Sequence, residues 1–497
     1  MWGIEGLVAI GYERKHGPHS RLHQFLKLMY FSPVSLVVTC PLAMTDASAK
    51  LVEQLKHQGR SYEALDKILE GICSRDPKHF ISSAQWMTER TGGSDVGNTE
   101  TVAQKDPSGK TGREFLLNGY KYFTSATTSN VSFALARVLD EQGNSVKGSK
   151  GLSLFVTEVT SKESGEYEGI IVHRLKDKIG TKTLPTAELE LVNKPALLVG
   201  EKGEGVKTIS TLFNLTRVYC VMANVSAMNV MLQLMKDYSH KREAFGKKLG
   251  EHVLHVSGLA DAEVAYRGML QLLVEECVLL GKSENSDPTT AENCESMLRI
   301  LTPIGKMFSG IVSSEMLLDG AESFGGAGYM EDTKLFVIFA DAFVNRIWEG
   351  AGNVMALDLL RCLYKEPHTL GLFLDAISHN ISTKHSKLAS YASNISNVAS
   401  EVKKYVSHVS SSPLLAESGA KQLCMTLGNL FVSSLLLRQA SWSGSEEDIF
   451  TLQRWMELRP INSLIFPSKE RISLQHSILF GAPSHKQERN DSAQSKL

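Results

Sequence analysis

The sequence predicts a mainly α-helical protein that carries a β-sheet domain between two helical parts. The hydrophobic period is helical over residues 1–78, alternates as in strands over residues 79–200, and becomes helical again from Gly205 onward. A chain of 497 residues, of which 42% are hydrophobic and 22% charged, has room for roughly three globular domains. We expect a helical domain, a β domain, a helical bundle, a helical extension and a disordered tail, over residues 1–78, 79–200, 201–365, 366–480 and 481–497.

The individual elements follow from local patterns, in chain order. An amphipathic run over residues 47–72 predicts helix. Apolar and charged residues alternate strictly over residues 187–191, which predicts a strand, and further strands are expected near 114–123, 132–139 and 152–157. After Gly205, apolar residues recur at spacings of three and four, which predicts long helices near 221–235, 250–282, 293–323 and 382–440.

Charge and cysteine content argue against several functional classes. The 53 Lys and Arg residues balance 54 Asp and Glu residues, so a globally basic nucleic-acid-binding protein is not expected. The seven cysteines are scattered and form no Cys-x-x-Cys pair, so we expect neither a disulfide framework nor a metal site. Ser, Thr and Pro interrupt the apolar stretch at residues 29–44, which argues against a membrane span.

The first motif that could carry chemistry is Met-Thr-Glu-Arg-Thr-Gly-Gly-Ser-Asp at residues 87–95. Paired glycines expose backbone N–H groups, and Thr88 and Ser94 add hydroxyl donors. Such a turn can hold a phosphate or the polar edge of a ring, whereas the simpler interpretation is a solvated loop. The dinucleotide fingerprint Gly-x-Gly-x-x-Gly is absent from this region.

The second motif is Glu-Ser-Phe-Gly-Gly-Ala-Gly-Tyr at residues 322–329. Three glycines within four positions break a helix and allow another group to approach the backbone closely. Taken alone, the motif is better explained by a turn between two helices.

The third motif is Trp-Glu-Gly-Ala-Gly-Asn at residues 348–353. A carboxylate beside a bulky aromatic ring is suited to act as a desolvated general base, because burial raises the pKa of a glutamate toward neutrality. The alternative is an exposed glutamate in the first turn of a helix, where the helix dipole favours it.

Taken together, these motifs resemble the acyl-CoA dehydrogenase family of flavoproteins. The resemblance covers residues 20–365 and keeps the family's order of motifs, with three further matches at residues 118–125, 216–217 and 241–246. It implies an acyl-CoA dehydrogenase-like helical domain, a β-barrel-like middle domain and a C-terminal four-helix bundle. The amino-acid sequences of three segments, together with the helical extension, are most similar to the AidB-like branch; these segments are residues 92–96, 175–180 and 347–353.

The resemblance implies that the protein binds FAD. Residues 85–94 would run along the flavin ring and pyrophosphate, and residues 123–125 would pack on the ring with the Ser125 hydroxyl near N5. Residues of a neighbouring subunit would complete the site, since family members are dimers or tetramers. The implied cofactor-binding residues are Gln85, Met87, Thr88, Gly93, Ser94, Phe123, Thr124, Ser125, Arg242, Phe245, Glu322, Gly325, Gly326, Gly350, Gly352 and Asn353.

The resemblance also implies α,β-dehydrogenation of a fatty acyl-CoA thioester. Glu349 would remove the α-proton, flavin N5 would take the hydride, and Ser94, Arg217 and Glu349 would contact the substrate. Arg217 could instead be a helix-surface residue that pairs with a carboxylate. Two other functions stay open: an acyl-CoA oxidase that uses oxygen rather than electron-transfer flavoprotein, and a non-catalytic FAD protein that binds acyl-CoA or, less well supported by charge, DNA.

Several features depart from the family pattern. Val337 and Ala340 replace basic residues, so we expect either weaker packing around the Glu349 segment or an acid, Asp341, that lacks a partner. Compared with the family, the chain is expected to be N-terminally shortened, which puts its activity in doubt. It ends Ser495-Lys496-Leu497, a peroxisomal targeting signal, which predicts a peroxisomal rather than a cytoplasmic or mitochondrial location.

Overall fold

Helices come first, then a seven-stranded sheet, then a second and larger set of helices. The computed structural model describes residues 5–35, 37–109, 114–160, 165–210, 212–410, 412–461 and 464–481. The expected fold class is confirmed: an N-terminal helical domain, a middle barrel-like β domain, and a C-terminal helical domain with an extension.

The N-terminal helices pack both on the sheet and on the later helices. They are α1 (Ala9–Glu13), α2 (Ser20–Phe31), α3 (Thr39–His57) and α4 (Glu63–Ile72). Helix α3 buries most of its residues because it lies between strand and bundle, and Leu42, Leu51 and Val52 are fully enclosed. Enclosing apolar side chains of this size stabilises the fold by about 1.5–3 kcal/mol each.

A buried cluster of charges ties these helices to the bundle. The Arg21 guanidinium contacts the Asp46 carboxylate at 3.0 Å and the Glu284 carboxylate at 2.7 Å, and all three side chains are fully enclosed. Lys50 donates to Glu284 at 2.8 Å. Burial raises the pKa of Glu284, but the charges of Arg21 and Lys50 outweigh it and lower that pKa to about 2.

The middle domain is a sheet that closes on itself. Its strands are β1 (Ser83–Trp86), β2 (Val102–Lys105), β3 (Phe115–Ser125), β4 (Val131–Val138), β5 (Leu152–Glu158), β6 (Ile170–Leu175) and β7 (Thr186–Val199). Strands β4, β5, β7, β3 and β2 pair in a circuit that returns to β4, while β1 adds to β4 and β6 to β7. Inward-facing Trp86, Phe115 and Phe155 fill a second core inside this barrel. The sequence missed the short strands β2 and β6.

The larger helical part begins with α5 (Gly205–Ser210) and contains four helices that pack around one another: α6 (Phe213–Lys241), α7 (Val253–Asn285), α8 (Pro288–Glu322) and α10 (Gly352–Lys365). Strands β8 (Glu243–Ala244) and β9 (Lys247–Lys248) form a small hairpin after α6, and α9 (Leu335–Phe343) precedes α10. Helix α8 is buried nearly all round its middle, which explains its apolar composition.

The extension covers one side of the bundle. It comprises α11 (His368–Asn380), α12 (Ala389–Val409), α13 (Pro413–Ser443), α14 (Glu446–Leu458) and α15 (Lys469–Phe480), with α13 packed on α7, α8 and α10. The continuous helix expected over residues 382–440 is wrong. It divides before Pro413, which begins α13 because proline suits the first turn of a helix and cannot continue one.

Two helical stretches, Gly205–Lys241 and Pro413–Ser443, are long and apolar enough to cross a membrane. However, 67% and 72% of their most apolar windows are buried within the protein, as is typical of core helices. Among the described residues, all seven cysteines are free and no His, Cys, Asp and Glu side chains cluster as metal ligands. The terminal residues 482–497, which include Ser495, Lys496 and Leu497, lie outside the described part of the chain.

Candidate functional site

The turn between α9 and α10 holds the candidate base in an unusual backbone conformation. Glu349 has a φ of 56° and Gly350 a φ of 104°, both in the left-handed region. A Cβ at position 350 would come within 2.4 Å of Met355 Cε, so only glycine fits there. A non-glycine residue in this region costs about 1–3 kcal/mol and persists only where its surroundings hold it.

Two side chains hold this turn from neighbouring helices. The Thr216 hydroxyl on α6 donates to Glu349 Oε2 at 2.6 Å. The Lys306 ammonium group on α8 donates to the Gly350 carbonyl oxygen. The Glu349 side chain is half-buried, so it is fixed by contacts yet open on one side.

A series of side-chain hydrogen bonds holds Trp348, the aromatic residue that precedes Glu349. Trp348 Nε1 donates to Asn345 Oδ1 at 2.8 Å, and Asn345 Nδ2 donates to Asn224 Oδ1 at 3.0 Å. Asn224 Nδ2 in turn donates to Ser309 Oγ at 3.1 Å. This buried series links the turn to both α6 and α8, so the Trp348 ring has a defined position beside Glu349.

Arg217 is buried rather than on a helix surface. Its guanidinium pairs with the Asp358 carboxylate on α10 at 2.7 Å, and Arg299 approaches the same carboxylate at 2.9 Å. The alternative interpretation of Arg217 is therefore half correct. Arg217 pairs with a carboxylate as that interpretation expected, but it does not lie on a helix surface. The Nε–H of Arg217 is buried and has no hydrogen-bond partner among the residues that the structure describes. A donor left in this state suits a bound ligand, because an unmet buried donor costs about 1–3 kcal/mol.

The first motif forms a tight turn braced by Glu89. Its carboxylate is buried and accepts from Lys121 Nζ at 2.6 Å and from Thr101 Oγ1 at 2.5 Å. Burial lowers the pKa of Lys121, and the Glu89 charge opposes that shift. A Cβ at Gly92 would lie 1.8 Å from the Asp95 carbonyl oxygen, so the turn requires glycine. The motif is thus a built turn rather than a loose solvated loop.

Strands β1 and β3 bring several of the expected flavin-binding residues together. Trp86 Nε1 donates to the Ser125 carbonyl at 3.3 Å, which joins the two strands beside Gln85 and Phe123. Gln85 Nε2 is buried without a partner, and Phe123 is 49% exposed. An unmet amide donor next to an exposed ring fits a polar aromatic ligand.

The other expected flavin-binding residues on and near these two strands differ in their environment. Thr88 accepts a backbone hydrogen bond from Tyr122, and its side chain faces Gly93. Met87 is half-buried against the large core, and Ser94 is exposed. The Thr124 hydroxyl points into the barrel and donates to the Ala187 carbonyl, while Ser125 Oγ lies 3.0 Å from Thr186 Oγ1.

A second group of expected FAD-binding residues lies just beyond the C-terminal end of α6 and at the C-terminal end of α8. Arg242 is exposed, and Phe245 at the tip of the β8–β9 hairpin is 98% exposed. Glu322, Gly325 and Gly326 are also exposed. The Tyr238 ring, one turn before Arg242, contacts the Phe324 ring at 4.9 Å, so the C-terminal end of α6 packs against the start of the glycine turn. Their expected role toward a neighbouring subunit stays a prediction.

Gly352 and Asn353 begin helix α10 directly after the base. Gly352 lies over Met307 of α8, with 3.6 Å between Met307 and a Cβ built on the glycine, and Asn353 is exposed. Together with Gly350 they place the N-terminal end of α10 beside Glu349.

The expectation that Asp341 lacks a partner is wrong. The backbone N–H of Thr181 donates to Asp341 Oδ1 at 2.6 Å. Burial raises the pKa of Asp341, and both this hydrogen bond and the Lys178 charge counteract the rise. A Cβ at Gly180 would lie 2.2 Å from the Ala340 carbonyl oxygen, so the barrel loop lies directly on α9. A backbone donor replaces the missing basic side chains.

The site includes residues that the motifs did not single out for a role: Thr216, Lys306, Asp358, Asn345 and Glu89. Only Lys306 has a local signal, because it is a lone charge in an apolar stretch of helix. The others became visible only through contacts between distant parts of the chain.

Three family models match the chain. The acyl-CoA dehydrogenase middle domain matches residues 84–193, the acyl-CoA dehydrogenase C-terminal domain matches residues 203–364, and an acyl-CoA dehydrogenase 11 C-terminal domain-like model matches residues 368–479.

Curated relatives and solved structures agree with these matches. The chain is 37% identical to acyl-CoA dehydrogenase family member 11 of Caenorhabditis elegans over 492 residues, which covers 96% of this chain and 78% of that protein. The crystal structure of C. elegans ACDH-11 in complex with C11-CoA superposes with a TM-score of 0.90 at 36% identity, covering 99% of this chain and 82% of that one. A Bacillus anthracis acyl-CoA dehydrogenase solved with FAD has a TM-score of 0.66 at 16% identity, covering 84% and 74% of the two chains, and shows the fold alone.

The assignment of this chain to the AidB-like branch of the family is not supported at that level of detail. Putative acyl-CoA dehydrogenase AidB of Escherichia coli is a more distant relative, 28% identical over 354 residues, which covers 70% of this chain and 62% of AidB. The helical extension that suggested AidB matches the acyl-CoA dehydrogenase 11 model instead. The motifs keep their expected order along the chain, and the chain belongs to the acyl-CoA dehydrogenase family of oxidoreductases.

Proposed function

We propose that this protein is an FAD-dependent acyl-CoA dehydrogenase in which Glu349 removes the α-proton of an acyl-CoA thioester. The observation that carries the proposal is the strained Glu349 turn, held by Thr216 and Lys306. The buried Nε–H of Arg217, which no described residue satisfies, adds a donor on the same helix as Thr216. The similarity to ACDH-11, which was crystallised with C11-CoA, supports a fatty acyl-CoA as the substrate.

The β domain offers residues that fit FAD. Gln85 has a buried amide donor without a partner, Phe123 presents a half-exposed ring, and Ser125 lies at the end of the same strand. These residues would hold the flavin ring, and the turn at residues 88–95 would hold its polar edge. When bound, FAD supplies the redox chemistry by accepting a hydride from the substrate β-carbon.

The protein's own residues would handle the proton and orient the thioester. Glu349 Oε2 accepts the Thr216 hydroxyl, which leaves Oε1 to accept the α-proton. The backbone N–H of Glu349 would donate to the thioester carbonyl and stabilise the developing enolate. Ser94 and Arg217 would contact the substrate, and the Arg217 charge would favour the negative transition state.

The central test is anaerobic bleaching of the purified yellow protein by C11-CoA. Wild type should lose its flavin absorbance on mixing, and Glu349→Gln should keep the yellow colour without bleaching, because an amide cannot accept the proton. Glu295→Gln, an exposed glutamate on α8, should bleach like wild type. If Glu349→Gln bleaches at the wild-type rate, the assignment of Glu349 as the base is wrong.

The same experiment separates the competing functions. A wild-type protein that binds C11-CoA but never bleaches would be a non-catalytic acyl-CoA-binding protein. If bleaching occurs, reoxidation by oxygen compared with electron-transfer flavoprotein identifies the acceptor.

We also propose import into peroxisomes through Ser495-Lys496-Leu497. A fluorescent fusion that carries the full tail should co-localise with a peroxisomal marker, and a fusion without Leu497 should not. If both remain diffuse, the targeting proposal is wrong.

A further inference from the structure

Lys306 is a charged residue in the core of helix α8. Its side chain is 1% exposed, and the adjacent Met307 and Phe308 belong to the large hydrophobic core. In the described part of the chain Lys306 forms no ion pair, and its hydrogen bond goes to the Gly350 carbonyl oxygen. Burying an ammonium group without a carboxylate is costly, and an apolar side chain of similar volume would give a more stable core. Stability alone therefore does not explain this lysine.

The groups that face Lys306 belong to the catalytic turn. Glu349 and Arg346 approach from the turn, and Cys220 and Arg217 approach from α6. Burial lowers the pKa of Lys306, while negative charge on Cys220 and Glu349 opposes that shift. The thiol of Cys220 is itself buried, which raises its pKa to about 12, so this thiol carries no charge at neutral pH and Glu349 is the carboxyl group that faces Lys306.

The hydrogen bond acts on the peptide that joins Gly350 to Ala351, one residue after the base. Glu349 and Gly350 both have positive φ values, so the turn needs an external restraint. A charged donor on the Gly350 carbonyl supplies one, since hydrogen bonds with an ionised partner are about twice as strong as neutral ones. A shift of Gly350 would change the turn that carries both the carboxylate and the backbone N–H of Glu349.

We propose that Lys306 is a positioning residue for Glu349. It holds the Gly350 carbonyl, which keeps the carboxylate and the backbone N–H of Glu349 in their working arrangement, and it places a positive charge opposite that carboxylate. This inference rests on the proposed function, because it assigns Lys306 a part in proton removal by Glu349.

The first test compares Lys306→Met with Lys306→Arg. Lys306→Met should keep its FAD but reduce it with C11-CoA about tenfold or more slowly, as expected for loss of one charged hydrogen bond. The acidic limb of its pH–rate profile should move to higher pH, because the carboxylate has lost a neighbouring cation. Lys306→Arg keeps the charge and should restore the position of that limb.

A matched control separates positioning from packing. Met316→Ala removes a buried side chain from the same helix two to three turns away, so it should lower stability without moving the pH profile. If Lys306→Met reduces its flavin at the wild-type rate with the wild-type pH profile, the inference is overturned.

A second measurement needs neither turnover nor a foldable Lys306 variant. In ¹⁵N-lysine NMR spectra, Lys306 Nζ should titrate at lower pH in Glu349→Gln than in wild type, because the facing anion is lost. If this difference appears in a protein that C11-CoA never bleaches, the proposed function fails and the contact between Lys306 and the turn stands. If the wild type bleaches but the Lys306 titration is unchanged in Glu349→Gln, the positioning role is wrong.

Discussion

At the residue scale, the carboxylate of Glu349 is oriented by one hydroxyl group. Thr216 Oγ1 lies 2.6 Å from Glu349 Oε2 and donates to it. Thr216→Val removes that donor with little change in shape, so the carboxylate should sample more orientations. We expect flavin reduction to slow by about 10- to 100-fold, equivalent to the 1.5–3 kcal/mol of a hydrogen bond to a charged group.

Stopped-flow absorbance with C11-CoA measures this change. Thr216→Ser keeps a hydroxyl donor and serves as the matched control, with a rate close to wild type. Equal rates in Thr216→Val and wild type would show that the hydrogen bond does not orient the base.

Glu276 is a second residue whose environment has a measurable consequence. Both of its carboxyl oxygens are buried without a partner on α7, and a Cβ at Gly305 would lie 2.2 Å from Oε1. Burial raises the pKa of Glu276 well above its ordinary value. Because the folded pKa exceeds the unfolded value of about 4.3, stability is full below that pH and falls as the pH rises toward the folded pKa.

The glutamine in Glu276→Gln does not titrate. The melting temperature of this variant should therefore rise relative to that of the wild type as the pH increases from about 5 to 8. Thermal melts at several pH values measure the difference. Glu292→Gln, an exposed glutamate on α8, should show no such gain. A difference between Glu276→Gln and wild type that is constant with pH would contradict the assignment.

The sequence allowed part of the site to be predicted at this scale. Glu349 stands in a local motif with its aromatic and glycine neighbours, so its candidacy needed no structure. The partners could not be predicted in the same way, because Thr216 is 133 residues from Glu349 and Lys306 is 44 residues from Gly350. Such contacts depend on how α6 and α8 pack, which local pattern does not determine.

At the element scale, the loop before β7 lies directly on helix α9. A Cβ at Gly180 would overlap the Ala340 carbonyl oxygen, 2.2 Å away, and Asp341 accepts a backbone hydrogen bond from the same loop. Gly180→Ala should therefore destabilise the protein by about 1–3 kcal/mol through overpacking against rigid backbone. Because α9 leads into the Glu349 turn, flavin reduction should slow as well.

Gly258→Ala on α7 is the control for this prediction. A Cβ at Gly258 meets nothing within 4 Å, so alanine should stabilise the helix by up to about 1 kcal/mol. Denaturant unfolding of both variants gives the comparison. A Gly180→Ala protein as stable as wild type would mean that the loop and α9 can separate without cost.

Elements were predictable where the hydrophobic period was long. Strands β3, β4, β5 and β7 were anticipated near their observed positions because each carries several alternating residues. Strand β2 has four residues, too few for a period to emerge. Closure of the barrel depends on the pairing of β4 with both β2 and β5, which is not encoded locally.

At the scale of the whole molecule, the β8–β9 hairpin exposes an aromatic side chain that a partner chain would cover. Phe245 is 98% exposed with a φ of 51°, beside the exposed Glu322–Gly326 turn. We propose that a second copy of the chain covers this surface and shares its FAD. Phe245→Ser should then lower both the oligomer mass and the flavin content.

Analytical ultracentrifugation and the ratio of flavin to protein absorbance measure these two effects. Trp442→Ser, at the end of α13, removes an aromatic ring that is 82% exposed elsewhere and should change neither quantity. If Phe245→Ser keeps the mass and flavin content of wild type, the hairpin is not part of a shared site.

The charge cluster of Arg21, Asp46 and Glu284 has a consequence for synthesis. Arg21 reaches its second carboxylate only when a residue 263 positions later has been made. At about 5–20 residues per second, the N-terminal helices would wait roughly 13–50 seconds on the ribosome before that partner is added. Until then the segment cannot bury Arg21 with both carboxylates, so we infer that its helices complete their packing late, together with α7, rather than as an independent first domain.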